Sequence, residues 1–320
     1  MATNILFLIA GLGILILGAE LLVRGGSSLA LHLGMTPLLV GLTVVAFGTS
    51  TPEMLVSVGG SIKGQDEIAL GNVIGSNIFN VGFILATVAL IFPINVKCSV
   101  LKLDAPVMIF VCFIALIVAR SGIISRLEGL LFLLLLFAYT AVNIRLAKNE
   151  TTAEVRTEFE DGIPRITKSM RTDIILIVGG LFLLMAGSKV LLSAATRIAQ
   201  IMNISDAVIG LTIVAAGTSM PELATSMVAA IRKHSDIAIG NVIGSNIFNI
   251  LGILGLSSLV KPLRLSNFGF VDFWVMTFFS IVIFPLLWSS RKLCRWEGGL
   301  LLFGYVVYVW SLWPSHGIFS

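Results

Sequence analysis

Two glutamates stand inside otherwise apolar runs, Glu53 in GLTVVAFGTSTPE (41–53) and Glu222 in GLTIVAAGTSMPE (210–222). An ionisable side chain at membrane depth costs about 3 kcal/mol or more and by default marks a functional site. No lysine or arginine lies near either glutamate in these runs to make a structural ion pair. Each run is followed by the same ten residues, GNVIGSNIFN, at 71–80 and 240–249. There Asn72, Ser76 and Asn80 are spaced to stack on one helix face, and Asn241, Ser245 and Asn249 repeat the pattern. Asn72 and Asn241 read equally well as helix-packing residues; Ser76, Asn80, Ser245 and Asn249 lie deeper in their spans and read as ligands. The inventory is carboxylate, hydroxyl, amide oxygen and backbone carbonyl, without imidazole or thiolate. Such all-oxygen sets suit hard cations, calcium or sodium and less well magnesium.

These residues need elements to hold them. Gly-Thr-Ser running into proline in mid-span interrupts a helix, because proline cannot donate to the preceding turn and is well placed at the start of a new one. The spans are expected to break at 48–51 and 217–220 and to restart at Pro52 and Pro221, with the preceding Ser or Thr as a cap. Broken helices occur at membrane depth only where backbone is buried in protein or lines a cavity. The whole stretch recurs at an offset of 169 residues without a gap.

The 320-residue chain is 57% hydrophobic and only 12% charged, far below the roughly 25% charge of a soluble domain. It reads as an all-α integral membrane protein with ten transmembrane spans, at about 4–23, 36–62, 67–91, 104–120, 126–147, 172–196, 206–231, 236–260, 269–289 and 296–314. The first run lacks a basic leader and a small-residue cleavage site, so it reads as a retained helix. The second span matches the seventh, five crossings later, which inverts one copy relative to the other. The expected architecture is two inverted five-helix repeats, 1–147 and 172–320, joined by a polar linker at 148–171, with helices 2 and 7 broken. Lysine and arginine concentrate in the loops that are cytoplasmic if the N-terminus is outside. That orientation puts both termini outside and the linker inside, in a multi-pass protein of the cell membrane. The net charge of +4 is small and mostly in loops, which argues for membrane orientation and against nucleic-acid binding. Cys98, Cys112 and Cys294 form neither a metal spacing nor a disulfide framework. His32, His234 and His316 fall in loops or near the C-terminus.

GTSTPE and GTSMPE, each with GNVIGSNIFN, resemble the paired α-repeats of the sodium/calcium exchangers, prokaryotic type, in the cation/calcium antiporter superfamily. The resemblance implies a core of helices 2, 3, 7 and 8 around central sites that hold sodium ions or one calcium in turn. Helices 1 and 6 then slide across that core. It implies Glu53 and Glu222 as calcium-binding carboxylates. Thr49, Ser50, Thr218 and Ser219 would give hydroxyls and carbonyls, Ala46 and Ala215 backbone oxygens, and Ser76, Asn80, Ser245 and Asn249 the remaining ligands. Proton-coupled relatives typically carry a GNxxE arrangement instead, so GTSxPE argues for sodium coupling. Many members carry an aspartate at one of the positions of Asn80 and Asn249; both are neutral here. Two glutamates balance one Ca²⁺ or two Na⁺, which leaves the stoichiometry open.

The expected function is exchange of Ca²⁺ for Na⁺, with those ions and the bilayer as the only partners and no cofactor or obligate protein partner. A proton-coupled antiporter of calcium or another divalent cation is the nearest rival, and a cation channel a more distant one. An enzyme is disfavoured, since no nucleophile, metal-ligand set or nucleotide motif accompanies the carboxylates. The offset also aligns Glu20 with Lys189. These two either pair with each other or each snorkel to an interface.

Overall fold

The computed structural model describes residues 2–147, 167, 169–202, 215–265 and 270–312. The chain opens with α1 (Ala2–Leu33), then a broken pair, α2 (Pro37–Thr49) and α3 (Thr51–Lys63), bent by 47°. There follow α4 (Asp66–Ile91), β1 (Ile94–Asn95), α5 (Val100–Ala119), β2 (Ile123–Ile124) and α6 (Arg126–Ala147). The second half runs α7 (Met170–Ile201), the short α8 (Ala215–Thr218) and α9 (Met220–Ile231), and α10 (Ser235–Val260). It ends with β3 (Leu263–Arg264), α11 (Phe270–Ser290), β4 (Lys292–Leu293) and α12 (Arg295–Leu312). Among the described residues, seven helices are long and apolar enough to cross a membrane, and the bent α2–α3 pair makes an eighth. Most of the 148–171 connection and the start of the 206–231 span lie outside the described residues.

The element boundaries themselves repeat at 169: α4 maps onto α10 and β1 onto β3 end for end. The two-residue strands pair across the halves, Ile94 with Leu293 and, reciprocally, Ile124 with Leu263. The centre belongs to α4 and α10, which are 72% and 94% buried over their apolar windows against 28% for α1 and α7. Both central helices switch from α to π pairing at an asparagine, over Asn80–Leu85 and Asn249–Leu254. A π turn inside an α-helix is uncommon and is often found at functional sites.

α1 and α7 are each 32 residues, longer than the expected 4–23 and 172–196. As a result Arg24 and Arg197, expected in loops, lie within helices. Gly25-Gly26-Ser27-Ser28 does not end α1, because glycine is needed there for packing. A seam of glycines brings the two helices into backbone contact. A methyl group on Gly18 would lie 2.8 Å from the Leu184 amide nitrogen, and one on Gly180 would lie 2.7 Å from that of Leu22. Without a hydrophobic drive between helices in lipid, such close approach is what holds them together. The far end of this pair carries a polar clasp. His32 Nδ1 lies 2.6 Å from Asp173 Oδ2, and Thr167 joins Ser28 to the same carboxylate.

The α1–α7 pair meets the core unevenly. α1 packs along α9, while among the described residues α7 makes no comparable contact with α3. Where α1 meets α9, Arg232 clasps Glu20 with both Nη2 (2.6 Å) and Nε (3.1 Å). Glu20 therefore pairs with neither Lys189 nor solvent alone. The offset that relates Glu20 to Lys189 relates Arg232 to Lys63.

Candidate cation site

The helix breaks fall where proline dictates, but they are narrower than expected. A single residue leaves helical geometry in each half, Ser50 (φ −83°, ψ 8°) and Ser219 (φ −88°, ψ 9°). Helix restarts at Thr51 and Met220, one residue before each proline. Neither serine side chain caps the helix that follows it. Each reaches across to the other half. Ser50 Oγ donates to Glu222 Oε1 at 2.8 Å, and Ser219 Oγ donates to Glu53 Oε1 at 2.9 Å. Ser219 Oγ also lies 3.1 Å from Ser76 Oγ, which ties α4 into the same cluster.

Both glutamates sit in the first turn of their helices, α3 and α9, and are buried to 0% and 1% exposure. The positive end of a helix dipole favours a carboxylate there. Among the described residues no lysine, arginine or histidine forms an ion pair with either one.

Asn72 and Asn241 act as clamps. Asn72 Nδ2 donates to the Glu53 carbonyl (3.0 Å) and Ser57 Oγ (2.8 Å), and its Oδ1 accepts from Thr218 Oγ1 at 3.3 Å. Asn241 repeats this with the Glu222 carbonyl (3.3 Å), Ser226 Oγ (2.9 Å) and Thr49 Oγ1 (3.1 Å). In the structure each of these asparagines fixes the backbone of one glutamate and ties it to the other half's break. The Thr49 and Thr218 hydroxyls, expected as ligands, donate to the clamp amide oxygens and also stand beside the carboxylates of Glu222 and Glu53 respectively. The Ala46 carbonyl accepts from Ser50 N at 3.1 Å, so it is engaged in the helix, and Ala215 opens α8.

Five buried side-chain oxygens of the expected set make no hydrogen bond: Glu53 Oε2, Glu222 Oε2, Asn80 Oδ1, Asn249 Oδ1 and Ser245 Oγ. A buried polar group without a partner costs about 1–3 kcal/mol, and more when charged. Stranded oxygens contributed by α3, α4, α9 and α10, two of them carboxylate, make a donor set for a hard cation. Among the described residues no cluster of His, Cys, Asp and Glu of the kind that holds a transition metal occurs. The apolar cavity of about 590 Å³ between α2, α6, α7 and α10, lined by side chains such as Phe47, Phe137, Leu181 and Phe248, contains none of these oxygens.

Sequence reasoning missed Asn77 and Asn246. Both are buried, and each donates its Nδ2 to the other's backbone carbonyl, at 3.2 and 3.4 Å. Their only sequence signal is that they lie inside the duplicated decapeptide.

Known proteins share this plan. The family described as "Sodium/calcium exchanger protein" matches residues 3–145 and 172–313. The putative antiporter CaxA of Alkalimonas amylolytica is 35% identical over 97% of this chain and 98% of its own. The sodium/calcium exchanger MaX1 of Methanosarcina acetivorans is 33% identical over 96% and 97%. A solved structure of the sodium-calcium exchanger NCX_Mj superposes with a TM-score of 0.84 at 32% identity, covering 96% of this chain and 98% of that one. With its duplicated GTSxPE and GNVIGSNIFN stretches, its crossed serine–glutamate bonds and a match along nearly its whole length, this chain belongs to the sodium/calcium exchanger family.

Proposed function

We propose that this exchanger carries Ca²⁺ and Na⁺ in opposite directions through the oxygen cage built on Glu53 and Glu222. The carrying observation is the set of five buried oxygens without hydrogen bonds around two cross-wired carboxylates. Glu53, Glu222, Asn80, Asn249 and Ser245 supply those oxygens. Ser50 and Ser219 hold the carboxylates, and with Ser76, which lies against Ser219 Oγ, they complete the coordination. Thr49 and Thr218 contribute hydroxyls and backbone carbonyls, and Ala46 and Ala215 backbone oxygens. Two carboxylates neutralise one Ca²⁺ or two Na⁺, and a net charge left in a low-dielectric site is expensive. Electroneutral exchange of two Na⁺ for one Ca²⁺ is therefore the stoichiometry that this charge inventory supports.

The site lies between two five-helix halves, 1–147 and 172–320, of opposite membrane orientation, within a ten-span protein. Repeated element boundaries and reciprocal strand pairing support that plan. Midplane sites between inverted halves, built from broken helices, serve alternating access. The excess of basic loop residues on one side supports external termini and a cytoplasmic 148–171 linker in the cell membrane.

The test is ⁴⁵Ca²⁺ uptake by proteoliposomes under an imposed Na⁺ gradient at fixed pH, with Glu53→Gln and Glu222→Gln as variants. Sodium-driven uptake that falls roughly a hundredfold or more in each variant is expected, since each loses half the formal charge of the site. Uptake driven by a pH gradient alone identifies proton coupling. Wild-type transport in either glutamine variant overturns the site.

A further inference from the structure

Asn80 and Asn249 can ligate a cation only by the oxygen end of the amide, and an amide can face either way. Four asparagines settle the direction between them. Asn249 Nδ2 donates to Asn77 Oδ1 at 2.9 Å, and Asn80 Nδ2 donates to Asn246 Oδ1 at 3.0 Å. Asn77 and Asn246 cannot turn round to change this. The Nδ2 of Asn77 donates to the Asn246 carbonyl (3.2 Å) and lies 3.6 Å from Met276 Sδ. That of Asn246 donates to the Asn77 carbonyl (3.4 Å) and lies 3.7 Å from Met108 Sδ. Turning either amide would set its oxygen against a carbonyl oxygen. With the nitrogen ends taken up by one another's backbone, each presents a fixed acceptor. The acceptor draws in the Nδ2 of Asn249 or Asn80 and leaves the opposite Oδ1 without a partner.

We infer that Asn77 and Asn246 are positioning residues that set the polarity of the cation site: they orient Asn249 and Asn80 respectively, and they select an amide over a carboxylate at those two positions. The inference rests on the cage as the transport site. Its second half follows from the same geometry. A carboxylate at 249 would place an acceptor against Asn77 Oδ1 at the 2.9 Å now spanned by a donor. Charge could enter the cage there only against this repulsion. The neutral centre of the site is thus maintained by residues that touch no ion.

A double-mutant cycle tests this. The variants are Asn77→Ala and Asn249→Asp, singly and together, with Ca²⁺ and Na⁺ dependence of vesicle flux as the readout. Asn77→Ala alone lets the Asn249 amide turn and lowers apparent affinity about tenfold or more. An aspartate has two like oxygens and no direction to set. In the Asn249→Asp background, removing Asn77 also removes the facing acceptor, so Asn77→Ala there raises affinity: the sign of the effect reverses. Combined with Asn80→Asp, Asn77→Ala stays as costly as alone, because Asn77 does not hold Asn80. The mirror cycle, Asn246→Ala with Asn80→Asp, gives the same answer if Asn77→Ala fails to fold. Equal losses from Asn77→Ala in the wild-type and Asn249→Asp backgrounds overturn the inference and leave the cage intact. Unchanged ion dependence in Glu53→Gln and Glu222→Gln would instead remove the cage itself.

Discussion

The glycine seam between α1 and α7 offers a sharp test, because adjacent glycines face opposite ways. A methyl group on Gly180 meets backbone on the other helix: the Leu22 nitrogen at 2.7 Å, the Gly18 oxygen at 2.8 Å and the Leu22 Cα at 3.1 Å. Ordinary contact begins near 3.4 Å, so the helices must part by roughly 0.7 Å at this point, and backbone cannot rotate out of the way. Overpacking of this kind costs about 1–3 kcal/mol. Gly179, one residue earlier, has nothing within 4 Å of the same added methyl. There the substitution brings only the helix preference of alanine over glycine, up to about 1 kcal/mol in favour. Gly180→Ala is therefore expected to lower the apparent melting temperature in detergent by a few degrees, and Gly179→Ala to leave it unchanged or raise it. Sodium-driven Ca²⁺ uptake should follow the same split, since spreading α1 from α7 disturbs the face that α1 presents to α9. Equal shifts in the two variants would refute the reasoning, because the pair would then not be held by close backbone approach.

Three further outcomes follow from the site and its surroundings. Asn241→Ala removes both donors that hold the Glu222 segment and the acceptor for Thr49; a loss of about 2–3 kcal/mol in stability, with weaker Ca²⁺ binding, is expected in thermal unfolding and flux assays. Unaltered ion affinity would show that the clamp is packing alone. Ser219→Ala should weaken Ca²⁺ affinity about tenfold, as expected for a hydrogen bond to a charged group. It should add little once Glu53→Gln is present and the full effect alongside Glu222→Gln; the reverse pattern would mean that the serine serves its own half. Exchanging the charges, Glu20→Arg with Arg232→Glu, should restore transport rates lost in either single variant, and an additive loss would show that the pair is incidental.

Much of this was legible in the sequence because the duplication pointed to it. The prolines after Gly-Thr-Ser located both breaks, and the depth of Glu53 and Glu222 followed from the apolar runs around them. The exceptions share one cause: they depend on what lies across the interface. Ser50 and Ser219 have cap-forming side chains at cap positions, and only the approach of the opposite carboxylate draws them away. Asn77 and Asn246 sit one residue off the 72, 76, 80 stripe, so a face-by-face reading passes over them. The α-to-π switch at Asn80 and Asn249 has no local signature. The length of α1 beyond 4–23 also rests on its partner: Gly25 admits the Asp173 carbonyl, 2.9 Å from where a side chain would begin.

The uneven meeting of α1 and α9 has an energetic consequence. On the proposed plan of inverted halves that alternate access, the opposite state would place α7 against α3 as α1 here lies against α9. That exchange brings Lys189 towards Lys63 in place of Glu20 towards Arg232. An attraction in one state would then be answered by a repulsion in the other, and the two states would differ in energy before any ion binds. Glu20 and Arg232 are 33% and 51% exposed, so solvent screening holds the attraction to about 0.2–1 kcal/mol. The repulsion adds to the same tilt, and the sum is enough to shift a two-state population severalfold. The proposed ion ligands obey the repeat and by themselves favour neither side. On the proposed plan, four surface charges that break the repeat bias which state the empty carrier favours, and salt, by screening them, weakens that bias.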